Sequence, residues 1–185
     1  METYDAIMTR RSVPKTGDRV PDREVIEKLI RAATAAPNHH LTEPWRFIIL
    51  TGDALKDLGA AWAAGEERLG GNPDKVRDKP LRAPLVITVV ERPNTTNPKV
   101  VAIEEHYAVG AAMQNLLLAA HDSGLAAMLR TGPAARLPEV HEYLGLDDGE
   151  FIAGFVYIGL PPEGLDRKAP RKTAIEELTE WKGWD

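Results

Sequence analysis

Pro84-Leu85-Val86-Ile87-Thr88-Val89-Val90 decides the fold. Its branched, apolar content reads as a β-strand, and it is apolar at both alternations, so a strand built from it has no wet face. A sheet covered by layers on both sides follows. Arg46 to Thr51, reading Arg-Phe-Ile-Ile-Leu-Thr, predicts a second strand, expected at the centre of the sheet. Leu125 to Leu129 supplies a short apolar strand, and Phe151 to Pro161 a long one in which Gly154 and Gly159 permit close backbone approach.

Helices must form the covering layers. Arg23 to Ala35 places Val25, Ile26, Leu29, Ile30 and Ala33 at three- and four-residue spacing, with Asp22 available as its cap and Pro37 as its stop. Asp53 to Leu69 is a second helix, closed by Gly70-Gly71-Asn72-Pro73. Val100 to His121 is the longest, and its Ala108 to Ala120 portion is apolar around almost the whole circumference. Such a helix is buried in a large core or at a subunit interface. Tyr4 to Met8, Leu137 to Leu144 and Ala174 to Trp181 predict shorter helices. The charged segment Lys75 to Arg82 is either a lid over a site or a solvated surface excursion.

A chain of 185 residues, 43% hydrophobic, buries a sizeable core and is read as one domain, residues 1–185. Net charge is −5 with the basic residues scattered, which argues against nucleic acid and for a small-molecule partner. Cysteine is absent, excluding thiolate nucleophiles and thiolate metal sites. The first residues are charged and no apolar run is long enough for a bilayer, so neither a signal peptide nor a membrane anchor is expected, and the chain is read as cytoplasmic.

Several chemistries lack their residues. Ser12 and Ser123 are the two serines, and neither stands in a G-x-S-x-G elbow. No H-E-x-x-H pair occurs among His39, His40, His106, His121 and His141, and Glu104-Glu105-His106 lacks a second ligand partner, so no metal is expected. Neither a Walker loop nor G-x-G-x-x-G is present, so a bound nucleotide would depend on basic side chains. Four spots combine basic or imidazole groups with hydroxyls: Arg10-Arg11-Ser12, the proline-bracketed loop Ala36 to Trp45, Arg130-Thr131 after a strand, and Arg171-Lys172-Thr173. Arginine forks beside a hydroxyl suit a phosphate. Each spot also has an ordinary reading: helix-end charge, a satisfied loop, a surface arginine and a solvated tail. Together they could clamp a phosphorylated cofactor.

The order of these motifs resembles the FMN-dependent nitroreductase family, most closely its small bacterial NAD(P)H nitroreductase branch. The resemblance rests on Arg10-Arg11-Ser12, Ala35-Ala36-Pro37 through Glu43-Pro44-Trp45-Arg46-Phe47, Ala83 to Ile87, the Gly110 to Ala120 helix, Arg130-Thr131-Gly132, and Arg171-Lys172 before Glu176-Glu177-Leu178. It implies an α+β fold of three layers, with a mixed, mainly antiparallel sheet flanked by helices, assembled as an intertwined homodimer. It further implies that Arg10, Arg11 and Ser12 hold the FMN phosphate and ribityl chain, with Arg171 or Lys172 near the phosphate. Ala35, Leu129, Arg130 and Thr131 would lie against the cofactor, and His39 would reach it across the dimer interface. Lys15 is a candidate for the pyrimidine edge.

The implied activity is transfer of electrons from NADH or NADPH through FMN to a small electron-poor acceptor such as a nitroaromatic or quinone. No catalytic side chain is required for it. The chain departs from the family loop Pro-Ser-x-x-Asn-x-Gln-Pro-Trp at Asn38, Leu41 and Glu43, and has Leu129 where the branch often has tryptophan. Two other readings remain: the same fold with another flavin reaction, such as dehalogenation or flavin fragmentation under a lid drawn from Gly65 to Arg82, or a non-catalytic binding protein.

Overall fold

The computed structural model describes residues 1–94, 96–165 and 173–184. Among them, β1 (Trp45–Thr51), β2 (Leu85–Glu91), β3 (Ala126–Arg130) and β4 (Phe151–Gly159) form one sheet in the order β1-β2-β4-β3. All three neighbouring pairs are antiparallel. A single parallel bridge from Ser12 to Ala127 lays the N-terminal segment along β3 and makes the sheet mixed. The helices are α1 (Thr3–Thr9), α2 (Arg23–Thr34), α3 (Asp53–Arg68), α4 (Asp74–Arg77), α5 (Ala102–Asp122) and α6 (Pro138–Leu144).

Every residue of β2 is buried, as its two-sided apolar pattern requires. Leu85, Ile87 and Val89 join Val156 and Ile158 against α2 and α5. Val86, on the opposite face, joins Leu50, Phe155 and Tyr157 against α3 and α6. The result is the three-layer α+β arrangement, with α5 as the main support of one face. Its buried positions include Ala108, Val109, Ala112, Leu116 and Ala120.

Four expectations need correction. The strand from Arg46 to Thr51 is not central: β1 is an edge of this sheet, with Ile49 44% exposed, because branched residues suit an edge with one covered face as well as a core strand. Lys75 to Arg82, although mostly exposed, is not an irregular excursion. It forms α4 and a 3-10 turn at Pro80–Arg82, burying Val76 and Pro80, and Gly59 of α3 lets the Arg77 carbonyl approach closely. Asp22 begins α2 through its backbone carbonyl, which accepts from Val25 and Ile26 at 3.0 and 3.2 Å, while its side chain makes no cap hydrogen bond. The helix expected from Ala174 to Trp181 is only a 3-10 turn, Ile175–Glu177. Ile175, Leu178, Trp181 and Trp184 are all exposed there, so the protomer offers no surface to hold a short helix.

Candidate cofactor site

Arg10 is placed by α1, and α1 is placed by the C-terminal end of α5. The Met1 ammonium donates to Asp122 at 2.9 Å, and Thr9 Oγ1 meets His121 Nε2 at 2.9 Å. The ammonium hydrogen bond also holds the Asp122 carboxyl below its ordinary pKa. At Arg10 the backbone leaves helical geometry, with φ −58° and ψ 136°, and the chain becomes extended. Ser12 bridges to Ala127, and Val13 N donates to the Ala127 carbonyl at 3.0 Å. Thr16 N then donates to Arg82 O at 3.2 Å and Gly17 N to Leu160 O at 2.9 Å. Backbone bonds thus fix the whole basic stretch on the sheet.

The two arginines part company here. Arg11 Nη1 donates to the carbonyls of Met8 at 2.8 Å and Arg10 at 2.6 Å, so Arg11 serves the carbonyl end of α1. The Arg10 guanidinium and the Ser12 hydroxyl have no partner among the described residues. Arg10 is half-buried and Ser12 exposed, which leaves a fork of donors and a hydroxyl open to a ligand.

β3 brings the second group alongside. Arg130 Nη2 donates to the Pro14 carbonyl at 3.2 Å, and its guanidinium lies 5.2 Å from the centre of the Tyr157 ring. Thr131 follows at the exposed strand end. Leu129 packs against the α5 layer, where a Cβ on Gly154 would come within 2.6 Å of its Cδ1 and 3.4 Å of Met113 Sδ, and it lines one cavity together with Arg130 and Thr131. Arg10, Arg11, Ser12, Leu129, Arg130 and Thr131 are therefore gathered along one sheet edge.

Ala35 and His39 sit elsewhere. Ala35 is the exposed C-cap of α2. His39 Nδ1 meets Glu104 Oε2 of α5 at 2.9 Å, and its ring lies 5.0 Å from that of His40. No described contact joins these residues to Arg10 or Ser12. Their loop has a feature that sequence reasoning missed: His40, Leu41 and Glu43 all have left-handed φ, at 56°, 52° and 47°. Asn38 Oδ1 holds the turn by accepting from Glu43 N at 2.9 Å. Residues other than glycine adopt such angles at a cost and cluster at functional segments. Arg171 and Lys172 lie outside the described residues.

Also missed was a buried acid pair at the end of β2. Glu91 is 2% exposed and meets His106 Nδ1 at 2.5 Å, and Glu105 accepts from Asn94 N at 2.9 Å. Burial pushes the Glu91 carboxyl above its ordinary pKa despite the imidazole beside it. The signal available was a glutamate directly continuing the apolar β2 run. Among the described residues no cluster has the ligands for a metal ion.

Comparison with known proteins gives the same reading. Residues 7–160 match the model of the Nitroreductase family. The chain is 31% identical over 164 residues, 87% of its own length and 89% of the relative's, to the Escherichia coli K12 protein named "Putative NAD(P)H nitroreductase YdjA". A crystal structure of a nitroreductase-like family protein from Bacillus cereus superposes with a TM-score of 0.84 at 29% identity, covering 100% of this chain and 97% of that one. The fold is shared at 20% identity and TM-score 0.80, over 100% of both chains, with a point mutant of the FMN and NADPH-dependent nitroreductase NfnB from sphigopyxis sp. strain HMH. With the match spanning the segment that carries Arg10 and Ser12, all four strands and the α5 layer, the chain belongs to the Nitroreductase family.

Proposed function

We propose that the chain is an FMN-dependent NAD(P)H oxidoreductase that reduces a small electron-poor molecule, a nitroaromatic or a quinone. One observation carries this reading: Arg10 and Ser12, on a segment fixed by backbone bonds to β3, keep their side-chain donors free of partners among the described residues. A guanidinium and a hydroxyl so placed fit the phosphate of FMN. When bound, FMN supplies the redox chemistry between the nicotinamide and the acceptor.

The protein's part is binding and orientation. Arg10 and Ser12 hold the phosphate, while Arg11 closes α1 beneath them and so keeps Arg10 in place. Arg130 steadies the cradle through the Pro14 carbonyl, and Thr131 and Leu129 present the strand end to the ring. Lys15, exposed on the same segment, adds positive charge near the ring's pyrimidine edge. Arg171 or Lys172 completes the phosphate contacts.

The second half of the site comes from a second copy. Ala35 and His39 contact the cofactor of the partner subunit, which accounts for their separation from Arg10 within one protomer. Support for a homodimer comes from apolar surface without a covering layer. Ile103 and Tyr107 are exposed on α5, and Ile175, Leu178, Trp181 and Trp184 repeat every three residues near the C-terminal end. An apolar groove of about 730 Å³, walled by Val20, Ile26, Ile30, Ile49 and Leu85 beside the β1 edge, is available to receive such a segment.

The test is the visible absorption spectrum of the purified protein, recorded before and after anaerobic addition of NADPH or NADH. A flavin spectrum that bleaches, and recovers on adding a nitroaromatic or quinone, supports the reading. A protein that neither carries nor takes up FMN refutes it.

A further inference from the structure

Two buried carboxylates meet where the end of β2 faces the start of α5. Glu91 closes β2 and Glu105 stands in the first turn of α5, and they are 2% and 3% exposed. Glu91 Oε1 accepts from His106 Nδ1 at 2.5 Å, and Glu105 Oε2 accepts from Asn94 N at 2.9 Å. The second bond ties down the connection between β2 and α5, where Asn94 Oδ1 in turn accepts from Asn97 N at 3.1 Å. Glu105 Oε1 is buried with no hydrogen-bond partner among the described residues.

Burial and like charge each favour the protonated form of such a pair. Burial pushes the Glu91 pKa up, the His106 imidazole pulls it down by less, and Glu105 adds a further push. Among the described residues no lysine or arginine forms an ion pair with either carboxylate. The strand neighbours of Glu91 are Trp45 of β1 and Phe151 of β4, both uncharged. Arg92, next in the chain, and Arg46 of β1 are committed to Glu150 at 2.7 and 2.6 Å, and Glu104 of α5 is turned to His39. His106, its side chain 45% exposed and its ring edge-on to Phe151, joins the buried pair to solvent.

We propose that Glu91, Glu105 and His106 form a proton-operated latch on the entry to α5, which tightens as pH falls from neutral into mild acid. One proton, taken from water by way of the half-exposed imidazole, settles between the Glu91 carboxyl and Glu105 Oε1. It supplies the donor which that oxygen lacks and removes the like charge, so Glu105 keeps its hold on Asn94 N. A carboxyl whose folded pKa lies above its unfolded one adds stability that is full below the unfolded value and is lost as pH rises through the folded value. Glu104, one residue earlier on α5, meets His39 at 2.9 Å, so the latch also governs how firmly the strained loop after His39 is anchored. The latch stands whether or not the protein takes flavin.

The test is the hydrogen-exchange protection of the Asn94 amide, followed by NMR from neutral to mildly acid pH in the wild-type protein and in Glu91→Gln. The glutamine mimics the protonated latch, since its carbonyl still accepts from His106 while its amide donates to Glu105. The variant should be better protected than the wild type at neutral pH. The gap should narrow as pH falls, by up to about tenfold per pH unit while the pair takes up its proton. Comparing the two proteins at each pH cancels titrations elsewhere in the chain. A gap that stays constant or widens in acid overturns the proposal, as does a variant less protected than the wild type at neutral pH. Should Glu91→Gln fail to fold, as judged by its thermal melt, Glu105→Gln decides in the same way, because it removes the like charge and keeps an acceptor for Asn94 N. The same narrowing gap then supports the latch, and its absence refutes it.

Discussion

Arg130 at the end of β3 donates from Nη2 to the Pro14 carbonyl at 3.2 Å, while Val13 N donates to Ala127 O on the same strand at 3.0 Å. These bonds, together with its bridge to Ala127, give Ser12 a fixed position relative to the strand end at Thr131. A loop residue is thereby held as firmly as a sheet residue, which a phosphate cradle requires. The same architecture makes Arg10 and Arg11 unequal despite their adjacency. Arg11 points its donors at the helix that ends beneath it, and Arg10 keeps its own free of partners among the described residues.

Arg10→Ala should therefore weaken FMN retention without altering the fold. A charge-assisted hydrogen bond contributes about 1.5–3 kcal/mol, so the FMN dissociation constant should rise by roughly 10- to 150-fold. Equilibrium dialysis with flavin fluorescence measures this, with the melting temperature as control. An unchanged constant would remove Arg10 from the phosphate site.

Gly59→Ala tests how α4 is held against α3. A Cβ at this position would run into the Arg77 carbonyl oxygen and lie 3.1 Å from its carbon, and both obstacles are backbone. Helix propensity alone favours alanine by about 0.8–1.0 kcal/mol, whereas an overpacked contact that cannot yield costs about 1–3 kcal/mol. Net destabilisation of up to about 2 kcal/mol is expected in urea melts. A stabilised variant would show that α4 does not dock as described.

The acid limb of the stability curve should depend on Glu150. Its buried carboxylate meets Arg46 Nη2 at 2.6 Å, Arg92 Nε at 2.7 Å and Asp147 N at 3.1 Å. Burial is the largest influence and pushes its pKa up, but the two guanidinium hydrogen bonds and the Asp147 N–H together bring it below the ordinary value. A lowered folded pKa means that this stability is present above the unfolded carboxylate pKa of about 4.3 and is lost as pH falls through the folded value. Glu150→Gln should be less stable at neutral pH by about 1.5–3 kcal/mol, with the gap closing in acid. Parallel melting-temperature curves for the two proteins across pH would refute the assignment.

How far the sequence could be read depends on which physical signal each element leaves. β2 and α5 are legible because burial on two faces, or around a whole helix, forces an apolar run that nothing else explains. The position of β1 was misjudged because branched residues satisfy an edge strand and a core strand alike, and strand order is a long-range property. The division of labour between Arg10 and Arg11 was invisible, since it turns on which guanidinium folds back to Met8. The segment from Ala174 to Trp181 carried a helical pattern without a surface to bury it against in the protomer. Left-handed angles at His40, Leu41 and Glu43 left no glycine or asparagine at those positions to announce them.

That last mismatch can be turned into an experiment. Leu41 combines a φ of 52° with 83% exposure, so its side chain gains no burial to offset the strain. For an L-residue with no local hydrogen bond the left-handed conformation costs about 1–2 kcal/mol, and asparagine tolerates it better because its amide bonds locally. Asparagine is also the residue of the resembling family's loop at this place. Leu41→Asn should raise stability by about 1 kcal/mol and tighten FMN binding, because a loop already at ease in its bound geometry loses less on ordering. Differential scanning calorimetry and flavin titration read the two effects separately. A gain in stability with no gain in flavin affinity would confine the strain to folding, and a loss of both would mean that the leucine is held by contacts from the partner subunit.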